Sequence, residues 1–173
     1  MKLAVIVLTC ALCAFGQNLP ANGAFVGLGF QSVANPQVSG WVEYEKALPD
    51  VQIGSFTFHS YGGAATDYSG SVTSGRIDTK WVIVHHKWLT FGTLQGGGVA
   101  YNSNGYGGSF TGGGWVTAGI GKLLGIPGAV LAMSASATKD DVSIAFADPT
   151  LKGKLVKLGL HGTFRFGVGK TWN

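Results

Sequence analysis

Cysteine is nearly absent from this chain, and both copies, Cys10 and Cys13, lie among its first sixteen residues. Residues 17–173 therefore hold no disulfide, no thiol nucleophile and no cysteine metal site. Charge is sparse as well: Asp, Glu, Lys and Arg make up 12% of the chain, and they are scattered rather than clustered. Scattered charge offers no basic stripe to track a phosphate backbone, so no nucleic-acid partner is expected. Long apolar runs are missing beyond the N-terminus. None reaches the roughly 18 residues of a membrane helix, and no long stretch carries helical periodicity.

The N-terminus reads MKLAVIVLTCALCAFG: Lys2, a short apolar core, then Ala14-Phe15-Gly16 with small residues at the positions a signal peptidase favours. This predicts a cleaved secretory signal peptide over 1–16 and one mature domain over 17–173. A transmembrane anchor would need a longer run with a flanking charge. Val7-Leu8-Thr9-Cys10 departs from the Leu-x-x-Cys pattern of lipoproteins, so no lipid anchor is expected. Without Lys2, 11 basic residues face 8 acidic ones, a net charge of +3.

What the chain has in abundance is glycine, 29 residues, interleaved with Val, Ile, Leu, Phe and Trp. Eight extended segments can be marked: 24–33, 39–46, 51–60, 75–85, 88–100, 109–122, 129–138 and 157–171. The last is the clearest. Leu158, Leu160, Phe164, Phe166 and Val168 share one parity with Gly162, while His161, Thr163 and Arg165 share the other. Period-two alternation puts these sets on opposite faces of a strand. In the third segment the apolar parity switches between Ile53 and Phe56, which suggests a bulge near Gly54. The Gly, Ser and Thr-rich stretch 61–74 reads as a loop, as does 101–108 with its Asn104-Gly105 turn dipeptide.

Read this way, connections after the second, fourth and sixth segments are short, and those after the third, fifth and seventh are longer and polar, up to 139–154, though the one after the first is short. Short turns at one end and long loops at the other are the pattern of a membrane up-and-down barrel. The fold class expected is all-β: an eight-stranded antiparallel up-and-down transmembrane β-barrel, preceded by a cleaved signal peptide. An even strand count places both termini at the short-turn end. A soluble barrel would turn its apolar face inward; a membrane barrel turns it outward.

The eight dyad-repeat strands, the alternating loops and the final strand Phe164-x-Phe166-x-Val168 ending at Trp172 resemble the eight-stranded outer-membrane barrels of the OmpA/OmpX type. In that family an aromatic residue at or near the C-terminus belongs to the signal for outer-membrane assembly. The present chain departs from the pattern by ending in Asn173, one residue past the tryptophan. The resemblance implies a bacterial outer-membrane location, contact with the assembly machinery through the last strand, and no catalytic or ligand residue.

Aromatic residues fall near segment ends: Tyr61, Tyr101, Tyr106 and Phe110 toward the long-loop end, Tyr44, Trp88 and Trp172 toward the short-turn end. Amphipathic rings prefer the headgroup level, so these are expected to form two interfacial girdles. Glu43, Glu45, Asp78, Lys80, His161 and Arg165 lie on the parities assigned inward and are expected to pair in the lumen. Arg165 is expected to reach Glu43 or Glu45 across an interior about wide enough for its own side chains. His85 and His86 are adjacent and point to opposite faces, so they do not share a metal ion. His59-Ser60 invites comparison with the lipid A deacylases, but the two face opposite ways and lack a third partner. Gly119-x-Gly121-Lys122 is no phosphate loop, because its spacing fails and Leu123 replaces the required Ser or Thr.

The expected role is structural or interactive, through the longer loops of an outer-membrane barrel with a side-chain-plugged polar lumen. Membrane lipids are the expected partners, and whatever extracellular partner exists would be met through those loops. No enzymatic activity, cofactor or metal is expected, and the chain should be a monomer. Two other readings are a narrow pore for small solutes and a secreted lipocalin-like barrel that binds an apolar ligand.

Overall fold

The computed structural model describes residues 19–32, 37–68, 73–102, 105–142 and 159–173. Among them run ten strands: β1 (Asn22–Ser32), β2 (Gln37–Ala47), β3 (Val51–Ile53), β4 (Phe56–Phe58), β5 (Ser60–Tyr68), β6 (Thr73–His86), β7 (Leu89–Asn102), β8 (Gly105–Gly119), β9 (Ala129–Val142) and β10 (Gly159–Trp172). Eight of them close into an antiparallel barrel in the order β1-β10-β9-β8-β7-β6-β5-β2. Closure pairs each of these eight strands on both sides and leaves the barrel no edge.

The seam shows why the register holds. On the outer face Val26 pairs with Val168, Leu28 with Phe166 and Phe30 with Phe164, and on the other side Val26 pairs with Val42 and Phe30 with Val38. A one-residue slip would turn this apolar ladder into the lumen and the charges outward. The outer wall is apolar and open to its surroundings: Ile77 is 74% exposed and Leu160 75%. Two apolar clusters lie inside instead. One joins Phe25, Trp41, Val130 and Ala132. The other joins Tyr61, Leu94 and Trp115, with Leu19, Ala47 and Val82 against it.

Three expectations change. The segment 51–60 is not a barrel strand: β3 and β4 pair with each other outside the barrel, Ile53 opposite Phe56. Gly54, at φ 62°, opens the two-residue turn between them, so the parity switch marks a hairpin and not a bulge. The wall strand is β5, within the stretch read as a loop. Its glycines and alanines hid an alternation in which Tyr61, Gly63, Ala65 and Asp67 face inward. Register shifts fall elsewhere, in β6 between Val82 and Val84 and in β8 between Gly108 and Phe110.

The connections also depart from the expected alternation. At the end that carries both termini lie 48–59 with its hairpin, the Lys87-Trp88 turn, and 120–128 with a helical turn at Gly121–Leu124. At the other end β5 and β6 are separated by four residues and β7 and β8 by two, so 101–108 is mostly strand. The intervening residues there, and 143–158, lie outside the described residues, as do 1–18.

Candidate functional site: the charged lumen

Residues 76, 78 and 80 of β6 share one face, so Arg76, Asp78 and Lys80 all project into the barrel. β2 contributes Glu43 and Glu45, β5 contributes Asp67 and β10 contributes Arg165. None of these seven side chains is more than 8% exposed.

Arg76 is the hub. Its Nε donates to Asp78 Oδ2 at 2.7 Å, and one terminal nitrogen donates to Glu43 Oε2 at 2.9 Å. The other reaches Asp67 Oδ2 at 3.5 Å. Arg165 grips Asp67 with two parallel bonds, Nε to Oδ1 and a terminal nitrogen to Oδ2, both 2.7 Å. This forked geometry is the strong form of the pair. Lys80 donates to Glu45 Oε2 at 2.8 Å and also contacts Glu43 Oε1. Its ammonium lies 5.3 Å from the Phe25 ring centre and 5.4 Å from that of Trp115. The charges form one network that ties β2, β5, β6 and β10 together through the lumen.

Four carboxylates meet three cations in this group. Asp78 Oδ1 is buried without a hydrogen-bond partner among the described residues. Asp78 fits because the residues beside it on both neighbouring strands are glycines, Gly63 and Gly96. A Cβ on Gly96 would stand 2.7 Å from the Cβ of Asp78.

Five of the six residues assigned to the lumen thus face it and are buried: Glu43, Glu45, Asp78, Lys80 and Arg165. His161 belongs to β10, but its side chain lies outside the described residues. The expected partner of Arg165 is corrected: it binds Asp67, while Glu43 and Glu45 are taken by Arg76 and Lys80. Sequence reading missed Arg76 and Asp67. Arg76 shares the parity of Asp78 and Lys80, which was signal enough. Asp67 was hidden by the loop reading of 61–74.

The aromatic assignments divide. Tyr44 and Trp172 lie together on the outside at the terminal end, ring centres 6.4 Å apart, with the Tyr44 hydroxyl donating to Asn22 Oδ1. Trp88 and Phe110 are exposed. Tyr101 and Tyr106 pair in register between β7 and β8, and their side chains lie outside the described residues. Tyr61 is a correction. It faces inward at the terminal end, edge-on to Trp115, and its hydroxyl donates to the carbonyl of Pro20. Placing it in a strand that starts at Ser60 reverses both its facing and its end.

At the terminal end of the network lies a cavity of about 630 Å³ lined by Glu45, Tyr61, His85, Trp115 and Val130, and by Trp88 and Lys122. His85 points inward and bonds Thr90 Oγ1 through Nδ1 at 2.7 Å, and His86 is exposed. His59 pairs with Asp50 at 2.7 Å at the base of the β3–β4 hairpin, and Ser60 is buried at the start of β5. Gly119 ends β8, and Gly121 and Lys122 belong to the helical turn. Among the described residues no group of three or more His, Cys, Asp or Glu is placed to hold a metal ion. Compared with protein-family models, curated proteins and solved structures, the chain matches none.

Proposed function

We propose that this chain is a bacterial outer-membrane β-barrel of the OmpA/OmpX kind. It would be exported by a signal peptide over 1–16 and serve a structural or interactive role without enzymatic activity. One observation carries the reading: the barrel is apolar outside and charged inside. In water such a wall would expose Phe30, Phe164, Phe166, Leu160 and Ile77 while burying seven charges, a double cost. In a bilayer the same wall faces hydrocarbon, and the charges pair away from it. A closed sheet is one of the two ways a chain crosses lipid with its backbone satisfied. A lipocalin-like barrel calls for an apolar lumen, which Arg76, Arg165 and Lys80 oppose.

The proposed lumen is plugged rather than conducting, because the network crosses it from β10 to β5 and β6. An extracellular partner would be met through the loops. The last strand, ending at Trp172, would be read by the assembly machinery. The molecule acts as a monomer and needs no cofactor.

The test is cell fractionation with a heat-modifiability gel, followed by planar-bilayer recording. The expected result is outer-membrane recovery, a mobility shift on heating and no steady conductance. Recovery as a soluble periplasmic protein would refute the membrane reading. A large, steady conductance would refute the plug and promote the narrow pore.

A further inference from the structure

The β3–β4 hairpin has no use in the barrel, yet it is strongly two-faced. Its register pairs Val51 with Phe58 and Ile53 with Phe56, and Gln52 with Thr57. Cross-strand partners share a face, and alternate residues change face. One side of the hairpin is therefore Val51, Ile53, Phe56 and Phe58, and the other is Gln52 and Thr57. All four apolar side chains are exposed, Ile53 at 63%. The Asp50–His59 pair closes the base.

The hairpin is continuous with the apolar wall. Leu48, at its root, lies against Gly62: a Cβ there would meet Leu48 at 3.2 Å. Gly62 alternates with the inward-facing Tyr61 and Gly63, so Leu48 sits on the outside of the barrel.

The same rim carries a second apolar projection. The helical turn between β8 and β9 exposes Leu123 at 84%, with Leu124 and Ile126 beside it and Lys122 next to them. In the closed order, the β2–β5 junction and the β8–β9 junction lie on opposite sides of the barrel. Trp88, exposed and also lining the lumen cavity, stands in the arc between them, and the Tyr44–Trp172 pair lies on the other side. A docked protein, or a second copy related by a two-fold axis, covers one side of a molecule. A bilayer surrounds it.

We infer that the β3–β4 hairpin and the 120–128 connection are interfacial anchors, which lay their apolar side chains into the headgroup and acyl boundary of the leaflet at the terminal end. The occupant is lipid, taken up by the four apolar side chains of the hairpin and by Leu123, Leu124 and Ile126, which are exposed away from the lumen cavity. This inference rests on the transmembrane reading and extends the apolar band beyond the strands.

Spin labels on introduced cysteines test it, since residues 17–173 contain none. Four single variants of the mature protein, Ile53→Cys, Gln52→Cys, Leu123→Cys and Phe166→Cys, are reconstituted in phosphatidylethanolamine–phosphatidylglycerol vesicles. Collision with oxygen, which concentrates in lipid, is compared with collision with a water-soluble nickel chelate. The expected oxygen-to-nickel ratio is severalfold higher at 53 and 123 than at 52, with 166 highest. If 53 matches 52 while 166 reports lipid, the anchor is refuted and the membrane reading stands. Shielding of 53 from both reagents means a protein contact and overturns the lipid assignment. A water signal at 123 with a lipid signal at 53 overturns the encircling arrangement. A water signal at 166 overturns the membrane reading itself. Should the label at 53 prevent assembly, Phe56→Cys reports the same face.

Discussion

Removing Arg165 tests the lumen network most sharply. Its guanidinium and the Asp67 carboxylate are 8% and 4% exposed and share two 2.7 Å bonds. Breaking a buried pair by deleting one partner typically costs about 3–5 kcal/mol, because the other charge is left uncompensated. Asp67 retains Arg76 at 3.5 Å, a weaker contact, so Arg165→Ala should fall near the lower end, about 3 kcal/mol. The assay is urea unfolding of reconstituted protein, as a double-mutant cycle with Asp67→Ala. The double variant removes both charges and should cost less than the two single losses together, with a coupling above about 1 kcal/mol. A parallel cycle of Arg165→Ala with Glu45→Ala should couple by less than about 0.5 kcal/mol, because Glu45 belongs to Lys80. A coupling near zero for Arg165 with Asp67 would refute the pairing. Strong coupling with Glu45 would restore the partner suggested by the sequence.

Two further outcomes follow from the facing of the strands and the glycines beside Asp78. Phe166→Arg or Leu160→Arg on the outer wall should cost about 2–4 kcal/mol if the site lies near mid-bilayer. Thr163→Arg, inside, should cost less, and equal unfolding midpoints at the two facings would contradict the assignment. Gly96→Ala places a methyl 2.6 Å from the Ile77 carbonyl and 2.7 Å from Asp78 Cβ, and should lose about 1–3 kcal/mol of stability. Gly112→Ala meets nothing within 4 Å and should stay within about 0.5 kcal/mol of the parent.

The architecture was legible in the sequence where large and small, or apolar and charged, side chains alternate. β10 and β2 show this: Phe164, Phe166 and Val168 against Thr163 and Arg165, or Val42 and Tyr44 against Glu43 and Glu45. It was not legible where both faces carry small residues. In Gly62-Gly63-Ala64-Ala65 the outward and inward positions look alike, so composition pointed to a loop although the residues pair in register from Ser60 to Tyr68. The hairpin just before it carried the stronger β signal, Val, Ile and two Phe, and drew the strand assignment to itself. That single displacement removed Asp67 from view, and with it the true partner of Arg165. Pairing across a lumen depends on which strands lie opposite each other, and a strand placed wrongly changes the opposition of every later one.

The distribution of size around the lumen explains why a charged interior can be closed rather than aqueous. The long charged side chains come from β2, β5, β6 and β10. The facing arc, β7 to β9, lines the lumen mainly with Gly96, Gly98, Thr111, Ser134 and Ser136, interrupted by Leu94 and Trp115. An eight-stranded barrel has room for roughly one filling of side chains. Large residues on all eight strands would overpack it, and small residues on all eight would leave a channel. At the level of the network, cations and carboxylates from one arc extend into the space that the small-residue arc leaves open and fill it once, and each charge gains its partner in the same step. Losing a cation therefore removes both volume and charge balance. For that reason Arg165→Ala should also raise the frequency of brief conductance events in planar bilayers, whereas Arg165→Lys, which keeps the charge and most of the length, should open less often. Equal opening by the two variants would mean that the lumen is sealed elsewhere along its length.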